Sequence, residues 1–353
     1  MKKYIITIPE KKDFTAASKA REDAEAIAVR SGYTPLPFQG ERSAERNPLM
    51  ALKLFGTTLR NWRGLARTVE SGSVVLMQYP HYPLKTAFLM RRFIPAIRKR
   101  KKIRFVFLIH DLNSVRGTMG KGAVYSDSHL LEQADSIICH NNRMKEYLVR
   151  QGIPGEKLFS LQIFDYLTDA QSGEHRLQDG IAIAGNLSAD KCGYVREFIR
   201  LADGKIPIHL YGKGFEEETE HENVFYHGAV SSAELPGVIR GGFGLVWDGP
   251  SAESCSGKMG EYLRINNPHK MSLYLASGMP VILWKEAAEA GFIEENSVGR
   301  KVGNLKELAP LVQQMTEQEY SRMLSHIREI SVKLRTGSFL ASALQKAEQS
   351  SEA

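Results

Sequence analysis

Short runs of uninterrupted apolar residues recur along this chain: SVVLMQ (73–78), RFVFLI (104–109), SIIC (136–139), IAIA (181–184), FGLVW (243–247) and PVILW (280–284). A strand with one wet face alternates apolar and polar residues. A run with no alternation belongs where both faces are covered, as in a parallel sheet under helices. The segments between these runs carry helical spacing. TAASKAREDAEAIAVR (15–30) is rich in alanine, with Ala20, Ala24, Ile27 and Ala28 on one face. Alternating strands and helices predict an α/β fold with parallel sheets. In such sheets ligands gather beyond the carboxyl ends of the strands. His110 and Asp111 follow RFVFLI, and His140 and Asn141 follow SIIC, at such ends. Lys19, Arg21 and Asp23 lie just beyond the first strand, Lys3 to Ile8. The turn after that strand lacks G-x-G-x-x-G, which argues against a nicotinamide or flavin dinucleotide there.

A chain of 353 residues is long enough for two domains. The alternation breaks at the polar stretch LTDAQSGEHRLQDG (167–180) and then starts again. The expected division is an N-terminal domain over 1–170 and a C-terminal domain from 171. MKKYIITIPEKK has too short an apolar run for a signal peptide, and no run is long enough to span a bilayer. Cys139, Cys192 and Cys255 are far apart, without metal-ligand spacing. A reducing cytoplasm is the expected location.

The net charge is +7, and much of the excess falls in RRFIPAIRKRKKIR (91–104). Phe93, Ile94 and Ile97 make this run amphipathic. It suits an anionic membrane surface, which would make the protein peripheral on the inner face of the plasma membrane. It equally suits a solvated helix end. Nucleic acid ranks last and is not an expected partner.

In the second half several weak signals converge if the strands are parallel. Gly185 and Asn186 follow IAIA, with Lys191 close behind. Tyr211 and Gly212, then Lys213 and Gly214, end IPIHLYGKG. Asp248 and Gly249 follow FGLVW. Asn267 and Pro268 read as a helix cap and first turn, with His269 and Lys270 beside them. Gly278 closes that helix. Glycines for close approach, a few cations and a helix N-terminus suit a diphosphate. Taken singly, each is also what an ordinary turn with a solvated lysine looks like. Tyr262 and Asn266 stand next to the same helix start. The chain has no D-x-D, so a diphosphate site without a metal or other cofactor is the better expectation, with Lys270 and helix N–H groups in place of a cation.

GNLSADKCG (185–193), LVWDG (245–249), SCSG (254–257), GEYLRINNPHKMSLYLASGMPVILW (260–284) and RTGSF (335–339) resemble the bacterial β-1,6-galactofuranosyltransferase-like glycosyltransferases. LIHDLNSVRG (108–117), FDYL (164–167) and SKARED (18–23) fit the same pattern, and 35–48 and the linker match it poorly. The group includes glucosyltransferases that extend sugars on serine-rich adhesins. The resemblance implies a GT-B fold: two Rossmann-like domains facing a cleft, with the nucleotide sugar on the C-terminal one and the acceptor on the other. The C-terminal domain would then end near 335, and the helix 336–353, opened by RTGSF, would cross back to the N-terminal domain. The resemblance places Lys191, Asn267, Pro268 and Lys270 along the diphosphate of a uridine diphosphate sugar. A glycan acceptor, lipid-linked or protein-bound, follows, and the likeness to adhesin-modifying enzymes leaves room for self-association. The expected reaction is transfer of a hexose, galactofuranose first, to a sugar hydroxyl with inversion. That needs a base, for which Asp111 ranks first, Asp23 second and His110 third. Asp111 could instead cap a helix or pair with Arg116. Rival readings are a glucosyl- or N-acetylglucosaminyltransferase acting on a glycosylated adhesin, and a non-catalytic nucleotide-sugar-binding subunit.

Overall fold

A computed structural model of the chain describes residues 1–8, 16–39, 48–80, 87–116, 127–216 and 221–349. The chain divides into two compact units. The first comprises Met1–Asp13, Arg21–Leu161 and Leu340–Ala353, and the second Phe14–Ala20 and Gln162–Phe339.

The first unit is built on a six-stranded sheet: β1 (Lys3–Thr7), β2 (Thr34–Pro37), β3 (Val74–Tyr79), β4 (Arg104–Ile109), β5 (Ser136–Cys139) and β6 (Leu158–Ser160). All neighbours are parallel, in the order β2-β1-β3-β4-β5-β6. Every residue of β3 is buried, and every residue of β4 after Arg104, as their uninterrupted apolar runs require. The helices α1 (Ala16–Arg30), α2 (Pro48–Thr68), α3 (Ala87–Lys101) and α4 (Asn142–Arg150) connect them. Trp62 of α2 is fully buried and stacks on Phe93 of α3, ring centroids 5.9 Å apart, with Phe38 edge-on at 5.6 Å. Asn141, at the end of β5, caps α4 by accepting the Met144 N–H at 2.9 Å. Buried His140 is hydrogen-bonded to the Ile109 carbonyl, and burial pushes its ring down to about 3. Both residues thus hold the fold.

The second unit repeats the plan with β7 (Ile181–Asn186), β8 (Ile208–Lys213), β9 (Val224–Tyr226), β10 (Phe243–Val246), β11 (Val281–Trp284) and β12 (Gly299–Val302). Their order is β12-β11-β10-β7-β8-β9, again all parallel. Helices α5 (Tyr194–Ala202), α6 (His269–Ala276) and α7 (Glu317–Thr336) belong to this unit. Gly337, at φ 85°, ends α7 in the left-handed conformation. The last helix, α8 (Ser338–Gln349), runs into the first unit from Leu340. There Glu348 accepts from the Tyr33 hydroxyl (2.7 Å) and Lys3 (2.6 Å), and Ser136 bonds the Ala347 carbonyl.

Two strands do not show in the apolar pattern. β2 is TPLP, mostly exposed, and prolines are tolerated because it is an edge. β12, GRKV, is an edge of the second sheet. β6 is short, ending at Ser160. Within the described residues α3 begins at Ala87. The polar linker is pinned: His175 is buried, its ring nitrogens 3.0 and 2.9 Å from the Gly241 and Ser277 carbonyl oxygens. The three cysteines are buried free thiols.

What seats α6 on the second sheet is a glycine. A Cβ on Gly244, in β10, would lie 2.1 Å from the Tyr274 ring. That ring is fully buried, and its hydroxyl accepts the Ala184 N–H of β7 at 2.8 Å. Gly244→Ala forces the ring off the sheet and should cost about 2–3 kcal/mol by overpacking, against about 1 kcal/mol for Tyr274→Phe, which loses only hydrogen bonds. Urea denaturation measures both. An Ala variant as stable as the parent would show that α6 does not rest on β10 in this way.

Candidate functional site

The strand order of the second sheet reverses between β7 and β10, which opens a crevice at their carboxyl ends. Gly185, next to last in β7, has φ 133°, and a Cβ there would meet nothing within 4 Å. Its backbone is open to close approach. Asn186 is exposed and turns its side chain back to accept the Ser188 N–H at 3.0 Å, which shapes the loop. Gly212 is needed for a different reason. A Cβ on it would lie 1.7 Å from the Gly185 carbonyl oxygen, so its absence lets β7 and β8 pinch together. Gly249, at φ 115°, is pressed against the Ser256 carbonyl, and its N–H meets the Lys191 carbonyl at 3.3 Å. The loops after β7 and β10 are therefore tied together. Lys191 stands half-buried on the short helix Ala189–Cys192.

The start of α6 departs from expectation in a useful way. Pro268, with extended φ and ψ, occupies the cap position, and no side chain caps the helix. Asn267 is not the cap. It is buried one residue earlier and donates its amide to the Gln162 carbonyl at 3.0 Å. The first N–H groups of α6 thus have no side-chain oxygen over them. Asn266 Oδ1 and His269 Nε2, flanking this start, are buried with no hydrogen-bond partner among the described residues. Orphaned polar atoms are rare in folded chains, and a bound ligand is one explanation for them. His269 lies against Tyr166 and Phe164, ring centroids 5.2 and 6.0 Å away. Burial, with Lys19 nearby, pushes its ring down to about 3, so it is neutral at pH 7.

Lys270 is not a bare cation. Its ammonium donates to Asp248 Oδ1 at 2.8 Å and to the Trp247 carbonyl at 2.9 Å. The Lys270 and Asp248 side chains are 15% and 9% exposed. Burial alone would lower the lysine, but the Asp248 charge outweighs it and holds Lys270 above its usual range. Two of its three N–H groups are used, and one remains. Two other expected contacts, Tyr211 and Tyr262, are buried. Tyr211 is buried, its hydroxyl accepting the Arg240 N–H at 2.8 Å. Tyr262 is buried at 1% exposure in the helix Gly257–Tyr262. His269 and the exposed Lys258 went unassigned in the sequence. The signal for Lys258 was a cation set between the glycines of SGKMG. For His269 it was the helix start itself.

In the first unit the order reverses between β1 and β3. Asp111 follows β4 and is paired with Arg116 Nη1 at 2.5 Å, as the alternative reading of it had allowed. His110 Nε2 lies 2.7 Å from Gln78 Oε1, and Gln78 donates to Glu25 at 3.1 Å. Arg21 donates to the Pro80 carbonyl at 2.9 Å. Asp23 is buried two turns into α1. The structure connects His110 with α1 through Gln78. Among the described residues, no group of three or more His, Cys, Asp or Glu could hold a metal ion, and no helix is long and apolar enough to cross a membrane.

Two parallel six-stranded sheets with flanking helices are the plan of the GT-B fold. The chain belongs to the glucosyltransferase 3-like family, whose N-terminal domain matches residues 2–163 and whose C-terminal domain matches 181–347. It is 39% identical over 254 residues to the β-1,6-galactofuranosyltransferase WbbI of Escherichia coli K12, covering 69% of this chain and 71% of that one. It is 28% identical over 290 residues to glucosyltransferase 3 of Streptococcus gordonii, covering 79% and 80%. In fold it is similar to HepE of Anabaena, whose crystal structure holds UDP-glucose: TM-score 0.60, 12% identity, 99% of this chain and 100% of that one.

The ion pair makes a specific demand on mutants. Lys270→Ala leaves Asp248 buried without its counter-charge and should lower stability by about 3 kcal/mol. Lys270→Ala/Asp248→Ala removes both charges and should recover at least half of that loss in urea denaturation. Additive losses would show the two residues to be independent.

Proposed function

We propose that this glycosyltransferase moves a hexose, galactofuranose in the first instance, from a uridine diphosphate sugar to a glycan hydroxyl with inversion and without a metal. The likeness to WbbI supports the sugar, and the start of α6 supports the site. The observation that carries the reading is the α6 N-terminus without a side-chain cap, with Asn266 Oδ1 and His269 Nε2 orphaned beside it. In this reading the diphosphate lies over the first amides of α6. Lys270, anchored by Asp248, gives its third N–H to a phosphate oxygen, and Lys191 approaches from the β7 side. Charge develops on the diphosphate as the anomeric bond breaks, so donors fixed in advance favour the transition state. Asn266 Oδ1 can only accept, so it takes a hydroxyl of the ribose or the sugar. Neutral His269 donates from Nε2. Asp111 removes the acceptor proton, with Asp23 and His110 next in order. Assembly of a surface polysaccharide or glycan is the setting this chemistry suits.

Calorimetry with UDP-galactofuranose, UDP-galactopyranose, UDP-glucose and UDP-N-acetylglucosamine, with and without EDTA, tests the donor. The galactofuranosyl donor should bind tightest, and EDTA should change nothing. UDP-glucose ahead of it would favour the glucosyl reading, which the family's own name supports. Donor binding with neither transfer nor slow hydrolysis would point to a non-catalytic subunit. Asn266→Ala and His269→Ala should each weaken UDP-sugar binding about tenfold, one hydrogen bond being worth about 1–1.5 kcal/mol. Unchanged affinity in both would remove the ligand from the start of α6.

Asp111→Asn keeps the shape of the side chain and removes the base. Transfer, followed by product formation, should fall below detection while calorimetric donor affinity stays within about twofold, or roughly 0.4 kcal/mol. A variant that transfers at the parent rate would take the role away from Asp111.

A further inference from the structure

Helices α2 and α3 of the first unit contain no Asp or Glu. A merely solvated helix face mixes both signs, and this one does not. Along each helix the exposed stripe, followed in steps of three or four residues, changes character. On α2 it runs from Leu52 and Phe55 to Arg63 and Arg67, and on α3 from Phe88 to Arg92 and Lys99. Leu52 is 69% exposed, Phe55 36% and Phe88 42%. Phe55 and Phe88 stack across the two helices at 6.0 Å, so the apolar ends form one patch. Both helices lead into parallel strands, β3 and β4, and run antiparallel to them. Their apolar ends therefore lie at the carboxyl edge of the sheet, where Gln78, His110 and Asp111 also lie.

Part of the basic run is already occupied. Arg98 pairs with Asp135 at 2.9 Å and bonds the Gln133 carbonyl. Lys101 caps the end of α2 through the Val69 and Arg67 carbonyls. The exposed charge is instead that of Arg63, Arg67, Arg92, Lys99 and Arg100, with Lys53 and Arg60 also exposed on α2.

We propose that the α2–α3 face is a docking surface for the anionic headgroup layer of a lipid bilayer. Leu52, Phe55 and Phe88 enter the interface, and the exposed arginines and lysines lie along the headgroups. A bilayer offers what the face lacks on both counts: negative charge and a place for apolar side chains. A nucleic acid would answer the charge but gives three exposed apolar side chains no burial. The geometry turns the acceptor edge of the first sheet toward the membrane. This proposal stands independently of the donor-site reading.

The test is sedimentation of the full chain with phosphatidylcholine vesicles, with and without phosphatidylglycerol, at low and high salt. The protein should pellet only with anionic vesicles and detach at high salt. Arg63→Ala/Arg92→Ala/Lys99→Ala should lower partitioning on the order of 100-fold. Phe55→Ser/Phe88→Ser should weaken it at low salt too. Circular dichroism checks folding, and the single exposed variant Arg92→Gln, with a loss of about fivefold, serves if a multiple variant misfolds. Equal binding to both vesicle types, none to either, or insensitivity to Arg92→Gln would overturn the proposal. Tighter binding to duplex DNA or RNA than to anionic vesicles, unaffected by the phenylalanine changes, would also overturn it.

Discussion

The ion pair between Lys270 and Asp248 is the constraint on which the second unit's site depends. A lysine in the first turn of a helix sits at the wrong end of the helix dipole, at a cost of about 0.3–1 kcal/mol. Asp248, from the end of β10, offsets that. At 2.8 Å the attraction is about 6 kcal/mol with an effective dielectric of 20. Removing two charges from water costs several kcal/mol each, so the net gain in stability is small. What the pair secures is position. It fixes an ammonium between the end of β10 and the first amides of α6, with one hydrogen left over. Gly244 allows the helix to lie close enough for this, because the Tyr274 ring takes the space of a missing Cβ.

This changes the electrostatic account of the site. A lone lysine would bring a full charge to a diphosphate. The pair brings none in total, only a directed hydrogen and a local dipole. In the proposed reading the remaining positive potential comes from the amides of α6 and from Lys191. In the same reading neutral His269 supplies a donor without adding charge. In that reading, donors fixed in advance need little reorganisation as charge builds on the leaving group.

The central strands were legible because burial on both faces leaves a continuous apolar run, as in RFVFLI and IAIA. The edges were not. TPLP and GRKV each pair on one side only, so neither needs such a run. At the site, the helix start and its lysine could be read from NNPHK, as could the glycines. Which glycine serves which purpose could not. Gly185 is open above its backbone, while Gly212 is needed only because the Gly185 carbonyl lies against it. Asn267 looked like a cap because Asn commonly is one, yet its partner, the Gln162 carbonyl, is 105 residues away in the chain. Asp248 and Lys270 were both singled out, but nothing in a linear pattern tells two candidate ligand contacts from two partners in one ion pair.

The same lesson applies to charge. The run RRFIPAIRKRKKIR reads as one basic block, and the fold divides it by role. Arg98 and Lys101 are used inside the unit, on Asp135 and on the carbonyls that end α2. Arg92, Lys99 and Arg100 are left outside, on the face that Arg63 and Arg67 of α2 extend. The cationic surface is therefore made by two helices rather than by one segment, and Arg63 and Arg67 lie outside the run 91–104. Its apolar end comes from Leu52 and Phe55, which no local charge pattern marks. The stacking of Phe55 on Phe88 brings the apolar ends of the two helices together into one patch.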